Sequence, residues 1–178
     1  RQLRFQSMET GREIRRIELP MIPSRLALAP GDGRIAVSSG DTVLVWEAPG
    51  GLPRTNQVHS SVVTALAWHP GGRHLAVGFE DGDVQLLDTS EGGARRLASH
   101  RQYVNGLAFG GAGEVIASSS WDSTHRYIDT ATGHVLFETA DAGPLQSAEE
   151  GRWLVLLADD GGIRARELQR SPVFRAFS

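Results

Sequence analysis

Histidine and turn aspartate side chains are the groups in this sequence best suited to acid–base or metal chemistry. His59 and His100 precede apolar stretches, Asp81 and Asp122 begin turns, and each pair has the same offset of 41. Histidine changes charge near neutral pH, and a zinc site needs further nitrogen, sulfur or carboxylate ligands at suitable spacing. No third ligand has that spacing, and Asp160 occupies the aspartate position again. The constant offset therefore favours a structural role in a repeat, without a bound metal.

The sequence contains no motif typical of a catalytic nucleophile or of a phosphate-binding loop. Gly-x-Ser-x-Gly, Ser-x-x-Lys, the P-loop and the dinucleotide fingerprint are all absent. The acidic turns at 149–150 and 159–160 lack the alternating oxygen ligands of a calcium loop. We therefore predict no catalytic residue, no cofactor and no enzymatic activity.

Composition and charge argue against several other classes of protein. The 178 residues carry a net charge of −3, whereas a nucleic-acid partner would leave a basic footprint. The longest strongly apolar run, 153–158, is far shorter than the ~20 residues that span a bilayer, so we expect no membrane partner. Cysteine is absent, which favours a reducing, cytoplasmic location. All 18 basic residues are arginine, which favours a GC-rich, bacterial source.

Short apolar runs separated by turn residues predict β-strands throughout the chain. Residues 59–68 and 100–109 align without a gap, and shorter matches extend the repeat to four copies with a period of about 40. Turns such as Asp81-Gly82 favour tight hairpins between the strands. The predicted strands lie near 2–6, 13–18, 25–29, 34–38, 42–47, 54–58, 63–68, 74–78, 83–88, 94–98, 104–109, 115–119, 124–129, 134–139, 144–148, 153–157, 162–167 and 172–177.

These units resemble WD40 repeats along nearly the whole chain. The matching residues are the loop histidines, the Pro-Gly turns, the turn aspartates and the closing dipeptide: His59, His100, Pro30-Gly31, Pro70-Gly71, Asp81, Asp122, Asp160 and Trp46-Glu47. The resemblance implies a hydrogen-bonded network of Trp, Ser or Thr, Asp and His inside each blade. The third repeat would supply His100, Ser118 and Asp122, whereas the first has Trp46 but Leu19 where histidine belongs.

The resemblance and the period together predict an all-β fold, a β-propeller segment of about four and a half WD40-like four-stranded blades. We expect residues 1–19 to be the third and fourth strands of a preceding blade, followed by blades at 20–58, 59–99, 100–140 and 141–178, all in one domain. An open arc would expose an apolar blade face at each end. We therefore expect missing blades, or another chain, to close the ring.

One face of the predicted blades carries aromatic and arginine side chains of the kind enriched in binding hot spots. The candidate protein-binding residues are Phe79, Glu80, Arg101, Tyr103 and Trp121, with Ile22, Arg25, Ser61 and Asp159 on the same face. We expect a contiguous, partly exposed patch that binds a protein or peptide. The chain would then be a non-catalytic scaffold, and the resemblance is compatible with a larger bacterial protein that has a catalytic or regulatory domain.

Two other functions stay open at this point. A propeller enzyme, such as a metal-dependent hydrolase or lactonase, would need several carboxylates or histidines on the inner strands. Those strands instead carry Leu66, Trp68, Leu107 and Phe109. A purely structural ring segment is the other alternative, because a fold does not fix a function.

Overall fold

The computed structural model describes residues 2–19, 21–31, 33–46, 54–57, 61–140, 143, 145–148, 152–157 and 161–167. His59, Asp159, Asp160, the acidic turn at 149–150 and the strand expected near 172–177 lie outside the described residues. Within these ranges no helix has the length and apolarity needed to cross a membrane.

Every regular element in the described residues is a β-strand, which confirms the all-β prediction. The strands are β1 Gln2–Gln6, β2 Glu13–Glu18, β3 Arg25–Leu28, β4 Ile35–Ser39, β5 Thr42–Trp46, β6 Arg54–Gln57, β7 Val63–Trp68, β8 His74–Phe79, β9 Asp83–Asp88, β10 Ala94–Ser99, β11 Val104–Gly110, β12 Val115–Ser120, β13 His125–Asp129, β14 Val135–Thr139, β15 Leu145–Ala148, β16 Trp153–Leu157 and β17 Ile163–Glu167. Their bounds lie within one residue of the predicted ones, because Gly, Pro and Asp mark nearly every turn.

The strands pair in chain order into five antiparallel sheets. Among the described residues, β1–β2 form two strands, β3–β6, β7–β10 and β11–β14 form three sheets of four strands, and β15–β17 form three strands. The innermost strands β3, β7, β11 and β15 contact one another in that order. This arrangement is that of consecutive propeller blades, and the strand predicted near 172–177 falls outside the described residues.

Large and small side chains alternate along the inner strands and determine how the sheets stack. Leu66 and Trp68 of β7 pack into the core shared with the preceding sheet, whereas Ala65 lies in the core shared with the following one. Strand β11 repeats the pattern, with Phe109 towards the preceding sheet and Ala108 towards the following one. Because successive side chains of a strand point to opposite faces, each sheet presents bulky residues to one neighbour and alanines to the other.

The first four-stranded sheet is only partly covered on its outer side. Trp46, 1% exposed, and Val37 pack there against Phe5 and other side chains of β1–β2. Leu26 and Leu28 of β3, by contrast, are 53% and 66% exposed, although they hold the positions that are packed in the next two sheets. The structure describes no inner strand beside them, so a leucine-bearing face stays open.

Candidate protein-interaction face

The face that carries the predicted binding residues is formed by the loops that enter the inner strands and by the β8–β9 and β12–β13 turns. We call this surface the loop face; it comprises residues 21–25, 61–62, 80–82, 99–103 and 121–124. Backbone bonds hold its segments together. The Glu80 amide donates to the Val62 carbonyl at 2.9 Å, and the Trp121 amide donates to the Tyr103 carbonyl at 3.0 Å.

A buried network in the third four-stranded sheet supports this face. His100 Nε2 lies 2.8 Å from Ser118 Oγ, and its Nδ1 lies 3.3 Å from Asp122 Oδ2 and 3.1 Å from Thr124 Oγ1. Thr124 Oγ1 donates to Asp122 Oδ1 at 2.6 Å. Since the Thr124 hydroxyl donates to the carboxylate, its oxygen accepts from His100 Nδ1–H. When the imidazole of His100 is neutral, its Nε2 then accepts from the Ser118 hydroxyl. His100, Ser118 and Asp122 therefore meet as predicted.

The electrostatics of this network keep the imidazole neutral and the carboxylate charged. Burial lowers the pKa of His100, and the nearby charge of Asp122 only partly opposes that shift. Burial acts to raise the pKa of Asp122, but the hydrogen bonds from Thr124 and the Arg101 amide outweigh it and lower this pKa to about 2. Each group thus has the protonation state that its hydrogen bonds require at neutral pH.

The same network fixes the loop that precedes β11. The Arg101 amide donates to Asp122 Oδ2 at 2.9 Å, and Ser120 Oγ donates to the Gln102 carbonyl at 2.9 Å. The turn and the loop are therefore held rigidly against each other. A binding surface built on such fixed segments loses less conformational entropy when a partner binds.

A cluster of aromatic and arginine side chains lies on this support. Trp121 is 67% exposed, and its ring centroid lies 5.2 Å from that of Tyr103. Arg25, from the start of β3, donates through Nη2 to the Tyr103 hydroxyl at 3.1 Å and through Nε to the Thr64 carbonyl at 2.6 Å. We call Arg25, Tyr103 and Trp121 the central cluster. It joins residues of the first and third four-stranded sheets across the second.

Phe79 is a correction to the predicted patch, because its side chain is 0% exposed. It is the last residue of β8 and shares a strand face with Leu75 and Val77 in the core between the first and second four-stranded sheets. The period of two along β8 places it there. The position that corresponds to Phe79 is held by Ser120, the last residue of β12. Trp121 lies one residue beyond the end of that strand, so it is not in the core.

The other predicted residues fall at the edge of the loop face or outside it. Glu80 and Arg101 are exposed, and Asp81 is an exposed turn residue that accepts the Asp83 amide at 3.2 Å. Trp46 is the last residue of β5 and packs between the first four-stranded sheet and the β1–β2 sheet, at the end of the strand opposite to the loop face. The sequence reasoning missed Thr124, although its spacing of two from Asp122 is a recognisable turn signal.

Titratable side chains of the described residues are dispersed or engaged in structural contacts in the places where a metal site or a cleft could form. None of them forms a group of three or more His, Asp or Glu side chains that would hold a metal ion. A cleft of about 630 Å³ lies between the second and third four-stranded sheets at the opposite ends of the strands, lined in part by His69, His74 and Glu114. His69 Nδ1 accepts the Gly71 amide at 2.9 Å, and burial together with His74 lowers the pKa of His69. This imidazole is thus committed to a structural contact.

Two protein-family models match the chain. Residues 24–103 match the anaphase-promoting complex subunit 4 WD40 domain, and residues 94–129 match the WD domain, G-beta repeat. Both matches fall on the sheets that form the loop face.

Several curated proteins are similar in sequence. Coronin-7 of Mus musculus is 32% identical over 79% of this chain and 18% of its own length. Cell division cycle 20.1, cofactor of APC complex, of Arabidopsis thaliana is 29% identical over 56% of this chain and 24% of its own length. Protein groucho of Drosophila melanogaster is 26% identical over 71% of this chain and 17% of its own length. The chain therefore spans 17% to 24% of these three relatives.

Proposed function

We propose that this chain, which belongs to the WD40-repeat family, is a non-catalytic scaffold that binds a protein partner through its loop face. One relative is itself named as a cofactor of the APC complex. That name describes the relative, and for this chain it supports only the general expectation of a partner protein.

The exposure of Trp121 is the observation that carries the proposal. An indole that is 67% exposed leaves a large apolar surface in water, and tryptophan, tyrosine and arginine dominate binding hot spots. The indole also lies against Tyr103, whose hydroxyl is fixed by Arg25. A rigid aromatic anchor beside a cation suits recognition of another protein.

Photo-crosslinking tests this function. A photoreactive phenylalanine analogue at position 121 should give a discrete adduct with a partner in cells, whereas the same analogue at position 91 should not, because Glu91 lies exposed in the β9–β10 turn at the opposite ends of the strands. Unlabelled wild-type protein should compete for the adduct. The double variant Arg101→Ala, Trp121→Ala should not compete, although its circular dichroism melt stays nearly unchanged. Equal adducts from both positions, or full competition by the double variant, would contradict the proposal.

The open leucine face favours a second role for the chain, as a segment of a closed ring. Leu26 and Leu28 repeat positions that are packed elsewhere, so we propose that further strands, from missing blades or from another chain, cover them. Hydroxyl-radical footprinting of the natural full-length protein tests this. Protection of Leu26 relative to Ile163, which is 78% exposed, is the expected result. Equal labelling of both residues would show an open arc.

A further inference from the structure

The guanidinium of Arg25 is held in place by hydrogen bonds that do not neutralise its charge. Its Nε and Nη1 donate to the carbonyls of Thr64 at 2.6 Å and Ser24 at 2.8 Å, and its Nη2 donates to Tyr103. All of these acceptors are uncharged. A guanidinium has five N–H donors, so two remain for another acceptor. No carboxylate pairs with Arg25 among the described residues.

Arg101 is a second cation of this kind on the loop face. Its backbone amide binds Asp122, while its exposed side chain has no ion pair within the described ranges. Five arginines elsewhere in the structure form ion pairs with carboxylates. The observed ion pairs are Arg16 with Glu13, Arg73 with Asp88 and Glu91, Arg96 with Asp83, Arg126 with Glu138 and Arg152 with Glu167.

The arginines without an ion pair on the loop face indicate the charge that a ligand should carry. The chain has 21 acidic and 18 basic residues, so carboxylates are not scarce. Arg25 and Arg101 nevertheless lack one among the described residues of the loop face, where Arg25 binds Tyr103 of the central cluster and Arg101 lies two residues before Tyr103 in the same loop. Guanidinium groups bind carboxylates in a planar, bidentate geometry. A ligand that supplies carboxylates at this point would complete the pairing seen elsewhere in the protein.

We propose that the partner presents a peptide segment in which aspartate or glutamate flanks a bulky apolar side chain. One carboxylate accepts from the free N–H groups of Arg25 and from the Tyr103 hydroxyl, whose own proton is still available. A second carboxylate pairs with Arg101, and the apolar side chain packs on the Trp121 ring. This inference rests on the proposed function and specifies the chemistry of its partner.

Acidic groups on the same face allow a test of the charge of the ligand. Glu80 is exposed at the edge of the loop face and its side chain has no partner among the described residues. Asp81 is also exposed beside it, whereas Asp122 is enclosed in its own network. An acidic ligand is attracted by Arg101 and repelled by Glu80, so neutralising these two residues must change its affinity in opposite directions.

Three peptide bead libraries test the inference. Each holds a randomised apolar residue in the centre, and the flanking positions are Asp or Glu in one library, Asn or Gln in the second, and Lys or Arg in the third. Fluorescent protein is applied at about 150 mM salt, where exposed charges are screened beyond ~8 Å. Retained beads are sequenced, and the affinities of the best peptides are measured by calorimetry for wild type, Arg101→Gln, Glu80→Gln and Trp121→Ala.

We expect the acidic library to be retained most strongly. For its best peptides, Arg101→Gln should weaken binding about five- to tenfold, and Trp121→Ala should weaken it at least tenfold. Glu80→Gln removes a repelling charge from the same face, and it should tighten binding up to about threefold. A charge-selective result of this kind requires no substitution inside the supporting network.

Other results overturn the inference and separate it from the proposed function. Stronger retention of the neutral or basic library, or a loss on Glu80→Gln as large as that on Arg101→Gln, refutes an acidic ligand. Failure of all three libraries refutes a peptide ligand at this face. In each case the crosslink from position 121 still reports separately on whether the loop face binds a protein.

Discussion

Replacing Asp122 should destabilise the protein by an amount that the structure allows us to estimate. Its carboxylate accepts from the amides of Arg101 and Thr124, from the Thr124 hydroxyl and from His100 Nδ1. Asp122→Ala removes the acceptor of all four hydrogen bonds, and the side chains of His100 and Ser118 are fully enclosed, so water replaces few of these bonds. Asp122→Asn keeps one oxygen acceptor but removes the charge.

The pKa of Asp122 gives the magnitude. Folding lowers it from 3.8 to about 2, and one pKa unit corresponds to about 1.4 kcal/mol, so the charged form contributes about 2 kcal/mol to stability. We expect Asp122→Ala to lower the free energy of unfolding by about 2–3 kcal/mol, because orphaned donors add to the loss. For a chain of this size that is a fall in melting temperature of about 4–12 °C.

Calorimetric melts as a function of pH check both the size and the cause. Because the folded-state pKa is lowered, the contribution is present above the unfolded pKa of 3.8 and is lost as the pH falls towards about 2. The gap between wild type and Asp122→Asn should thus be constant from neutral pH to about 5 and should shrink below about 4. Glu80→Gln is the control and should melt with wild type. A melt of Asp122→Ala within about 1 °C of wild type, or a gap that persists at low pH, would refute the reasoning.

Further substitutions test the fold and the boundary between core and surface. Phe79→Ala should lower the free energy of unfolding by about 3–5 kcal/mol, because it leaves a cavity in the core. Trp121→Ala should change that free energy by under about 1 kcal/mol, because its side chain is exposed. Urea titrations of both variants measure the two free energies. Gly113→Ala would bring Cβ into a clash with His69 Nε2 at a φ of +100°, so it should displace the His69 ring and raise hydrogen exchange where the second and third four-stranded sheets meet. Gly11→Ala has a positive φ but no atom within 4 Å, and its equal effect on exchange at that contact would contradict the steric explanation.

The fold followed from the sequence because its signals are local and repeated. Turn residues bracket each strand, and the 41-residue offset between His100 and His59 fixes how successive units correspond. The network of His100, Ser118 and Asp122 was predictable for the same reason, since each member holds a fixed place in the repeat. The repeat in the sequence therefore predicts both the order of the strands and the hydrogen bonds inside a blade.

The candidate site was only partly predictable, because exposure depends on packing between repeats. Phe79 and Trp121 look alike from the sequence, but one ends a strand inside the core and the other begins a turn. The reach of Arg25 to Tyr103 spans 78 positions, and no local pattern encodes such a contact. The central cluster is a product of how three sheets pack together.

The indole N–H resonances of the four tryptophans give the most direct test of binding through the loop face. The partner is first isolated on immobilised wild-type protein, without any selection for a site, and is then titrated into protein labelled with nitrogen-15 on its indoles. The account predicts that the Trp121 resonance shifts or broadens to saturation. Those of Trp46 and Trp68, which are 1% and 7% exposed in the blade cores, should stay in place. A saturated complex in which Trp121 is unmoved would contradict the central claim.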